Sequence, residues 1–180
     1  MDSLRGQLLV AGPGLLEPTF RRTVVLVGEH NEDGALGVVL NRPTPAAVEE
    51  AAPPLSQLVG AGERLFIGGP VQPQGAVVIA EFDFPDAAGL VVFDSIGFLI
   101  GDVDLDALDG LRRARVFAGH AGWGAGQLEG EIEMSAWILE PALPEDVFAE
   151  EPEGLWTSVL RRKGGRFAML AMMPVDPSLN

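Results

Sequence analysis

The chain contains no cysteine, which excludes disulfide bonds, thiolate metal sites and cysteine nucleophiles. Lysine is almost as scarce, because Lys163 is the only one and every other basic residue is an arginine. This scarcity removes most routes to a lysine nucleophile or to a Walker-type phosphate lysine. A chain without cysteine also suits a reducing compartment.

Long hydrophobic runs are missing as well. The longest uncharged stretch, from Leu65 to Ala80, is too short and too rich in glycine and proline to span a bilayer. The first apolar run is interrupted by Gly12-Pro13-Gly14, a poor pattern for a signal peptide. We therefore expect a cytoplasmic protein that does not enter a membrane.

Positive charge is the third deficit. The chain has 12 basic and 26 acidic residues, a formal net charge of −14 and a pI near 4.4. Such a field repels phosphate backbones and anionic lipids at long range. Direct binding to nucleic acid is therefore unlikely on charge grounds.

The composition is otherwise that of a folded globular protein. The chain has 180 residues, 47% of them hydrophobic, and a mean hydropathy of +0.23. These values predict a single domain over residues 1–180. The 23 glycines and 14 prolines are dispersed among apolar runs, which predicts many turns between short elements.

Both strands and helices are predicted, in irregular alternation. The strands are Gln7–Ala11, Thr23–Glu29, Ala35–Asn41, Leu65–Ile67, Ala76–Phe82, Leu90–Asp94, Arg115–Ala118 and Trp137–Leu139. The helices are Ala46–Ala52, Leu55–Val59, Asp104–Arg113, Gly126–Met134 and Leu155–Arg162. The second and third strands form a hairpin over the turn at 30–34. The pattern predicts a mixed α/β domain rather than a regular parallel βαβ fold.

The segment Phe117–Glu133 has the richest pattern of glycines. If its glycines connect a strand to a helix, their backbone N–H groups could bind a phosphate. The spacing Gly122-x-Gly124-x-Gly126 differs from the dinucleotide motif, however, and three glutamates follow it. We therefore favour tight turns at which backbones approach closely.

Other polar residues offer alternatives for binding or catalysis. Asn41-Arg42 at a strand end could contact an anion, as could a backbone nest at Gly68-Gly69. Both patterns also suit ordinary turns, with the arginine paired to an internal acid. Gln127 is a further candidate beside the glycines. Arg112, Arg113 and Arg115 would contribute to a basic face if folding joined them to the other arginines, although a solvated surface explains them too.

The two histidines and one glutamate are candidates for chemistry. His30 could join loop carboxylates at a metal site, but a solvated turn is the simpler interpretation. His120 or Glu131 could act as a general base, but a structural histidine is the favoured interpretation of His120. Trp123 resembles a core or interface anchor. The sequence defines no catalytic set, and we expect neither a metal nor a cofactor.

Taken together, several motifs resemble the AlgH/YqgE family of bacterial proteins. The motifs are Gly6–Pro13, Phe20-x-Arg22 with the apolar run to Leu26, His30-x-x-x-Gly34 through Asn41-Arg42-Pro43, Gly68–Val71, Ala121–Glu131, Trp137 and Leu155-Trp156. The resemblance covers a core from about residue 6 to residue 174. It implies a mixed α/β domain with a bifurcated sheet curled into a pseudo-barrel and flanked by helices. It also implies a possible transcriptional-regulator role and supplies no catalytic residues. His120 stands where the family commonly has tyrosine.

These observations favour a cytoplasmic regulatory or binding protein that acts through a protein partner or small ligand. Its candidate binding residues are Asn41, Arg42, Gly68, Gly69, His120, Trp123, Gln127 and Glu131. A small-molecule hydrolase or transferase is an alternative. A transcriptional regulator that binds DNA is a weaker one, because of the charge.

Overall fold

The computed structural model describes residues 2–84, 88–99 and 110–174. Its strands are β1 Gln7–Ala11, β2 Val24–Asn31, β3 Gly34–Val39, β4 Pro43–Ala47, β5 Arg64–Ile67, β6 Val71–Phe82, β7 Leu90–Phe93, β8 Ile96–Leu99, β9 Leu111–Gly124 and β10 Trp137–Pro141. Its α-helices are α1 Val48–Ala51, α2 Gln127–Glu133, α3 Pro144–Val147, α4 Leu155–Lys163 and α5 Arg166–Leu170. Short 3₁₀ helices cover Pro53–Leu58 and Pro152–Gly154.

Strand β9 organises the sheet because three strands pair with it. Its last residues pair with β3, and its longer first part pairs with β6, both antiparallel. Strand β5 pairs with it in parallel at Phe117 and Ala118. The main path is β10-β1-β2-β3-β9-β6-β8-β7, with β4 and β5 forming a branch. This branching confirms the mixed α/β class and the forked sheet.

The sheet curls without closing into a barrel. Its two ends, β10 and β7, do not pair with each other among the described strands. Curling nevertheless brings β8 across β2, where the Phe98 ring lies against Gly28. A Cβ at position 28 would lie 2.1 Å from that ring, so only glycine permits this approach. The expected pseudo-barrel is therefore a curled open sheet.

The core consists of three clusters separated by the sheet. One fills the inside of the curl and is covered by α4 and α5, with Leu26, Phe117 and Trp156 among its members. A second lies under α2 and contains Trp123 and Trp137. The third lies between β6, β9 and the region around α1. The sheet is thus apolar on both faces over much of its area, with helices on its outer surfaces.

Some predicted boundaries were wrong. The glycines at 119, 122 and 124 lie inside β9, which runs well past the predicted end at Ala118. Of the predicted helix Asp104–Arg113, residues 104–109 lie outside the described residues, whereas Leu111–Arg113 belong to β9. Ala46 and Ala47 belong to β4 rather than to a helix. Pairing with β6 and β5 overrides the local preference in the last two cases.

In the portion of the chain that the structure describes, no helix is long and apolar enough to cross a membrane.

Candidate functional site

An open cavity of about 410 Å³ brings two of the predicted motifs together. Arg42 enters it from the segment between β3 and β4, and Gly69-Pro70 enters it from the link between β5 and β6. Its full lining is Pro18, Thr19, Val39, Arg42, Ile67, Gly69, Pro70 and Pro73. We call this cavity the Arg42 pocket. Most of its surface is apolar, and among the residues that the structure describes Arg42 is the one charged member of its lining.

Arg42 is held in place by backbone contacts and has no carboxylate partner in the described part of the chain. Its backbone carbonyl accepts a hydrogen bond of 2.9 Å from the N–H of Ile67, and its Nη2 donates to the carbonyl of Arg21. Partial burial lowers the pKa of the Arg42 guanidinium, because removal from water penalises the charged form. Within residues 2–84, 88–99 and 110–174 no carboxylate lies within 4 Å of it. The pocket therefore presents a positive group that could accept an anion.

Gly68 and Gly69 shape the pocket wall through backbone packing. The N–H of Gly68 donates to the carbonyl of Ala118 at 2.8 Å, and its own carbonyl accepts from Val39 at 2.8 Å. Gly69 has a φ of +150°, and a Cβ there would lie 2.2 Å from the carbonyl oxygen of His120. Because the Gly68 N–H is already bonded, the predicted anion nest at this pair is not open to a ligand through that group.

Comparisons with known proteins agree with the family that the sequence motifs resemble. The family model described as AlgH-like matches residues 8–168. The chain belongs to the AlgH-like family. A UPF0301 protein of Thermobifida fusca is 44% identical over 190 residues, covering 99% of this chain and 96% of the relative. One from Streptomyces avermitilis is 43% identical, covering 100% and 97%.

Two solved structures share the fold of this AlgH-like chain. Protein DIP2367 from Corynebacterium diphtheriae superposes with a TM-score of 0.84 at 31% identity, covering 96% of this chain and 93% of that one. The AlgH protein from Pseudomonas aeruginosa gives 0.70 at 29% identity, covering 96% and 95%. None of these names states an activity, so the site must be interpreted from its own geometry.

Asn41 has a structural role in this AlgH-like fold. Its Oδ1 accepts a hydrogen bond of 3.0 Å from the N–H of Val24, and its Nδ2 donates to the carbonyl of Arg22 at 2.8 Å. The side chain is buried, and both ends of its amide are engaged. It thus fastens the end of β3 to the start of β2 and so fixes the position of Arg42.

Trp123, Glu131 and Gln127 lie in a separate region, where each side chain has a hydrogen-bond partner within the protein. One oxygen of Glu131, Oε1, accepts from the indole N–H of Trp123 at 3.3 Å and from that of Trp137 at 3.2 Å. The two indoles meet edge-on, with ring centroids 6.0 Å apart. Gln127 accepts from the N–H of Gly124 at 3.0 Å. These residues line no part of the Arg42 pocket, so the candidate binding residues are divided between two regions of the fold.

The histidines are also apart from the Arg42 side chain. His30 is buried, with Nδ1 accepting from the N–H of Leu4 at 3.0 Å and Nε2 bonded to Glu129. Both ring nitrogens are therefore in use, and no three-residue metal cluster exists among the described residues. His120 lies opposite Val71 on β6, and burial lowers its pKa. Neither histidine lines the pocket.

Pocket residues that the sequence interpretation missed are mostly uncharged. Pro18 and Thr19 stand in the link between β1 and β2, and Ile67 ends β5 with 46% of its surface exposed. The signal for Ile67 was its place beside Gly68-Gly69 at the end of a predicted strand. Pro18 and Thr19 carry no comparable signal, because only the fold brings this link near Arg42.

Proposed function

We propose that this AlgH-like chain is a binding module whose Arg42 pocket takes a carboxylate attached to an apolar body. The observation that carries the proposal is the guanidinium of Arg42, which no carboxylate of the described residues pairs with, on the wall of an open, mainly apolar cavity. A cavity of this size is within the usual range for small-ligand sites.

The guanidinium determines the polar end of the ligand. A planar guanidinium pairs well with the two oxygens of a carboxylate, and partial burial strengthens such a bond relative to water. Because one Nη already donates to the Arg21 carbonyl, the fork is oriented before the ligand arrives. The bond to an anion would also offset the cost of burying the charge.

The remaining lining determines the apolar end. Ile67, Val39 and three prolines provide hydrophobic contact, and the prolines have little conformational freedom to lose on binding. A free fatty acid and the carboxyl terminus of a peptide with an apolar last residue both present this chemistry. The hydrolase or transferase alternative draws less support, since the proposed bases Glu131 and His120 do not line this pocket.

The test uses hexanoate as the small-molecule probe and 1-hexanol as the uncharged control, with binding followed by two-dimensional NMR. Hexanoate is expected to bind with a Kd of about 1 mM, which is a typical affinity for a ligand with so few atoms. Arg42→Gln should weaken it about 10-fold or more, since charge-assisted hydrogen bonds contribute about 1.5–3 kcal/mol. Arg21→Gln changes the net charge equally and should leave the affinity within about twofold, because the Arg21 side chain does not line this pocket.

Peptides distinguish the two sources of carboxylate. A tetrapeptide ending in leucine is compared as the free acid and as the terminal amide. Tighter binding of the free acid than of hexanoate indicates a protein partner, and the reverse indicates a small ligand. Equal binding of hexanoate to wild type and Arg42→Gln would reject the proposal, as would binding of hexanol as tight as that of hexanoate.

A further inference from the structure

A second cavity, of about 510 Å³, lies where β5 and β9 meet the segment that follows α3. Three arginines line it, Arg64, Arg113 and Arg115, together with two glutamates, Glu63 and Glu150. We call it the arginine cleft. Its lining has an excess of positive charge in a chain whose net charge is −14. It shares no lining residue with the Arg42 pocket.

Strand geometry explains how the arginines meet. In the parallel pairing of β5 with β9, Phe66 is opposite Phe117, so two residues earlier Arg64 is beside Arg115. Alternation along β9 then places Arg113 on the same face as Arg115. Arg112 faces the other way and pairs with Asp83 at 2.6 Å. The row of three guanidinium groups therefore follows from the register between β5 and β9.

Arg115 is the most strongly desolvated of the three. Its Nη1 and Nη2 donate to the carbonyls of Val147 and Ala149 at 3.1 and 2.6 Å, and its guanidinium lies 4.8 Å from the centroid of the Phe66 ring. Burial is the main cause that lowers the pKa of Arg115. The charge of Glu63 opposes this shift, as does that of Glu153, whereas Arg64 and Arg113 add to it. No carboxylate in the described part of the chain reaches it within 4 Å.

The other two arginines retain donors for a ligand. The Nε of Arg113 donates a hydrogen bond of 3.1 Å to Glu81. Its guanidinium also lies over the Phe148 ring, 4.3 Å from the ring centroid, and this contact restricts its orientation. Arg64 uses Nη1 for Glu153 at 3.0 Å. The remaining N–H groups of both side chains have no protein acceptor among the residues described. Partly oriented arginine forks with free donors are well suited to the oxygens of a phosphoryl group.

We propose that the arginine cleft binds a small phosphorylated compound, with its phosphate between Arg64, Arg113 and Arg115. A phosphoryl group presents several oxygens in different directions, and three guanidinium groups on one cleft wall can contact them together. The cleft has room for more than the phosphate, and Glu63 and Glu150 are acceptors for hydroxyl or amino groups on the rest of the ligand. Binding neutralises the charge that burial makes costly at Arg115.

Inorganic pyrophosphate is the probe, titrated into the full chain by two-dimensional NMR at pH 7.5 and constant ionic strength. Chemical-shift changes are expected at residues of the cleft and not at the Arg42 pocket. Arg113→Gln should weaken the affinity about 10-fold, and Arg64→Gln should do the same. Arg112→Gln is the matched control, because it removes the same charge one residue away on the opposite face of β9.

Arg115→Lys keeps the charge but loses the fork, and it should also weaken binding about 10-fold or more. Since this variant also loses a bond to a loop carbonyl, its folding is checked by thermal unfolding, and the decision rests on Arg113→Gln if it unfolds. Equal affinities of Arg112→Gln and Arg113→Gln would show a response to net charge alone and overturn the proposal. The absence of chemical-shift changes in the wild-type protein at about 10 mM pyrophosphate would also overturn the proposal, because that concentration is on the order of the Kd of the weakest specific binding that we consider.

Discussion

The indole cluster around Trp123 and the Arg42 pocket both arise from motifs that stand out in the sequence, yet their polar groups are used differently. At the indole cluster, Glu131 satisfies both indole N–H groups, and Trp137 is 3% exposed. At the Arg42 pocket, the guanidinium lacks a carboxylate partner in the described chain, and Ile67 is 46% exposed. Unusual residues therefore mark scaffold and site alike. What separates the two is whether the polar groups find partners within the protein.

The sharpest test of this contrast removes one large apolar side chain from each region. Trp137→Ala should lower the free energy of unfolding by about 3–5 kcal/mol, because it empties a packed position and leaves Glu131 with one indole fewer. Ile67→Ala should lower it by about 0.5 kcal/mol or less, since half of that side chain is already in water. Urea denaturation measures both. Similar losses would show that the pocket is as much part of the core as the indoles are.

A second, smaller effect tests whether the backbone at the wall of the Arg42 pocket is rigid, although a side chain such as Ile67 is exposed. Gly69→Ala should cost about 2 kcal/mol or more, because the added Cβ would meet the His120 carbonyl at 2.2 Å and the φ of +150° suits only glycine. Gly14→Ala is the matched control, since a Cβ there meets nothing within 4 Å and φ is not positive. Thermal unfolding compares the two variants. If Gly69→Ala were as stable as Gly14→Ala, the close approach of the two backbones would not be real.

Elements with strong local patterns were predictable from the sequence. Strand Gln7–Ala11 and helix Leu155–Lys163 match their predictions to within a residue, because a compact apolar run and an amphipathic run ended by glycine determine them locally. Strand β8, Ile96–Leu99, was missed. The length of β9 was also missed. Its glycines favour turns in the local sequence, but pairing with β3 keeps them in the strand.

The sites depend on contacts that no local pattern carries. Arg115 contacts carbonyls 32 and 34 residues away, and its neighbour Arg64 comes from a strand that pairs in parallel. Arg42 and Gly69 were identifiable from the sequence, but the burial of Trp123 against Glu131 and Trp137, away from Arg42, depends on the fold. His30 illustrates the same limit. Its loop composition favoured a solvated turn, yet the side chain is buried and its Nε2 bonds to Glu129, from α2, rather than to a loop carboxylate.

The smallest expected effect concerns this bond between His30 and Glu129, which ties α2 to β2 beside the indole cluster. The hydrogen bond from His30 is the main cause that lowers the pKa of Glu129 below that of an ordinary glutamate. A carboxylate with a lowered folded-state pKa stabilises the protein above its unfolded pKa, and this contribution is lost as pH falls through the folded value. Glu129→Gln should therefore cost under about 1 kcal/mol at pH 7, because the pair is partly exposed. The difference from wild type should shrink toward pH 3 in urea denaturation, whereas a difference that is equal at both pH values would mean that the charge of Glu129 contributes nothing to the bond.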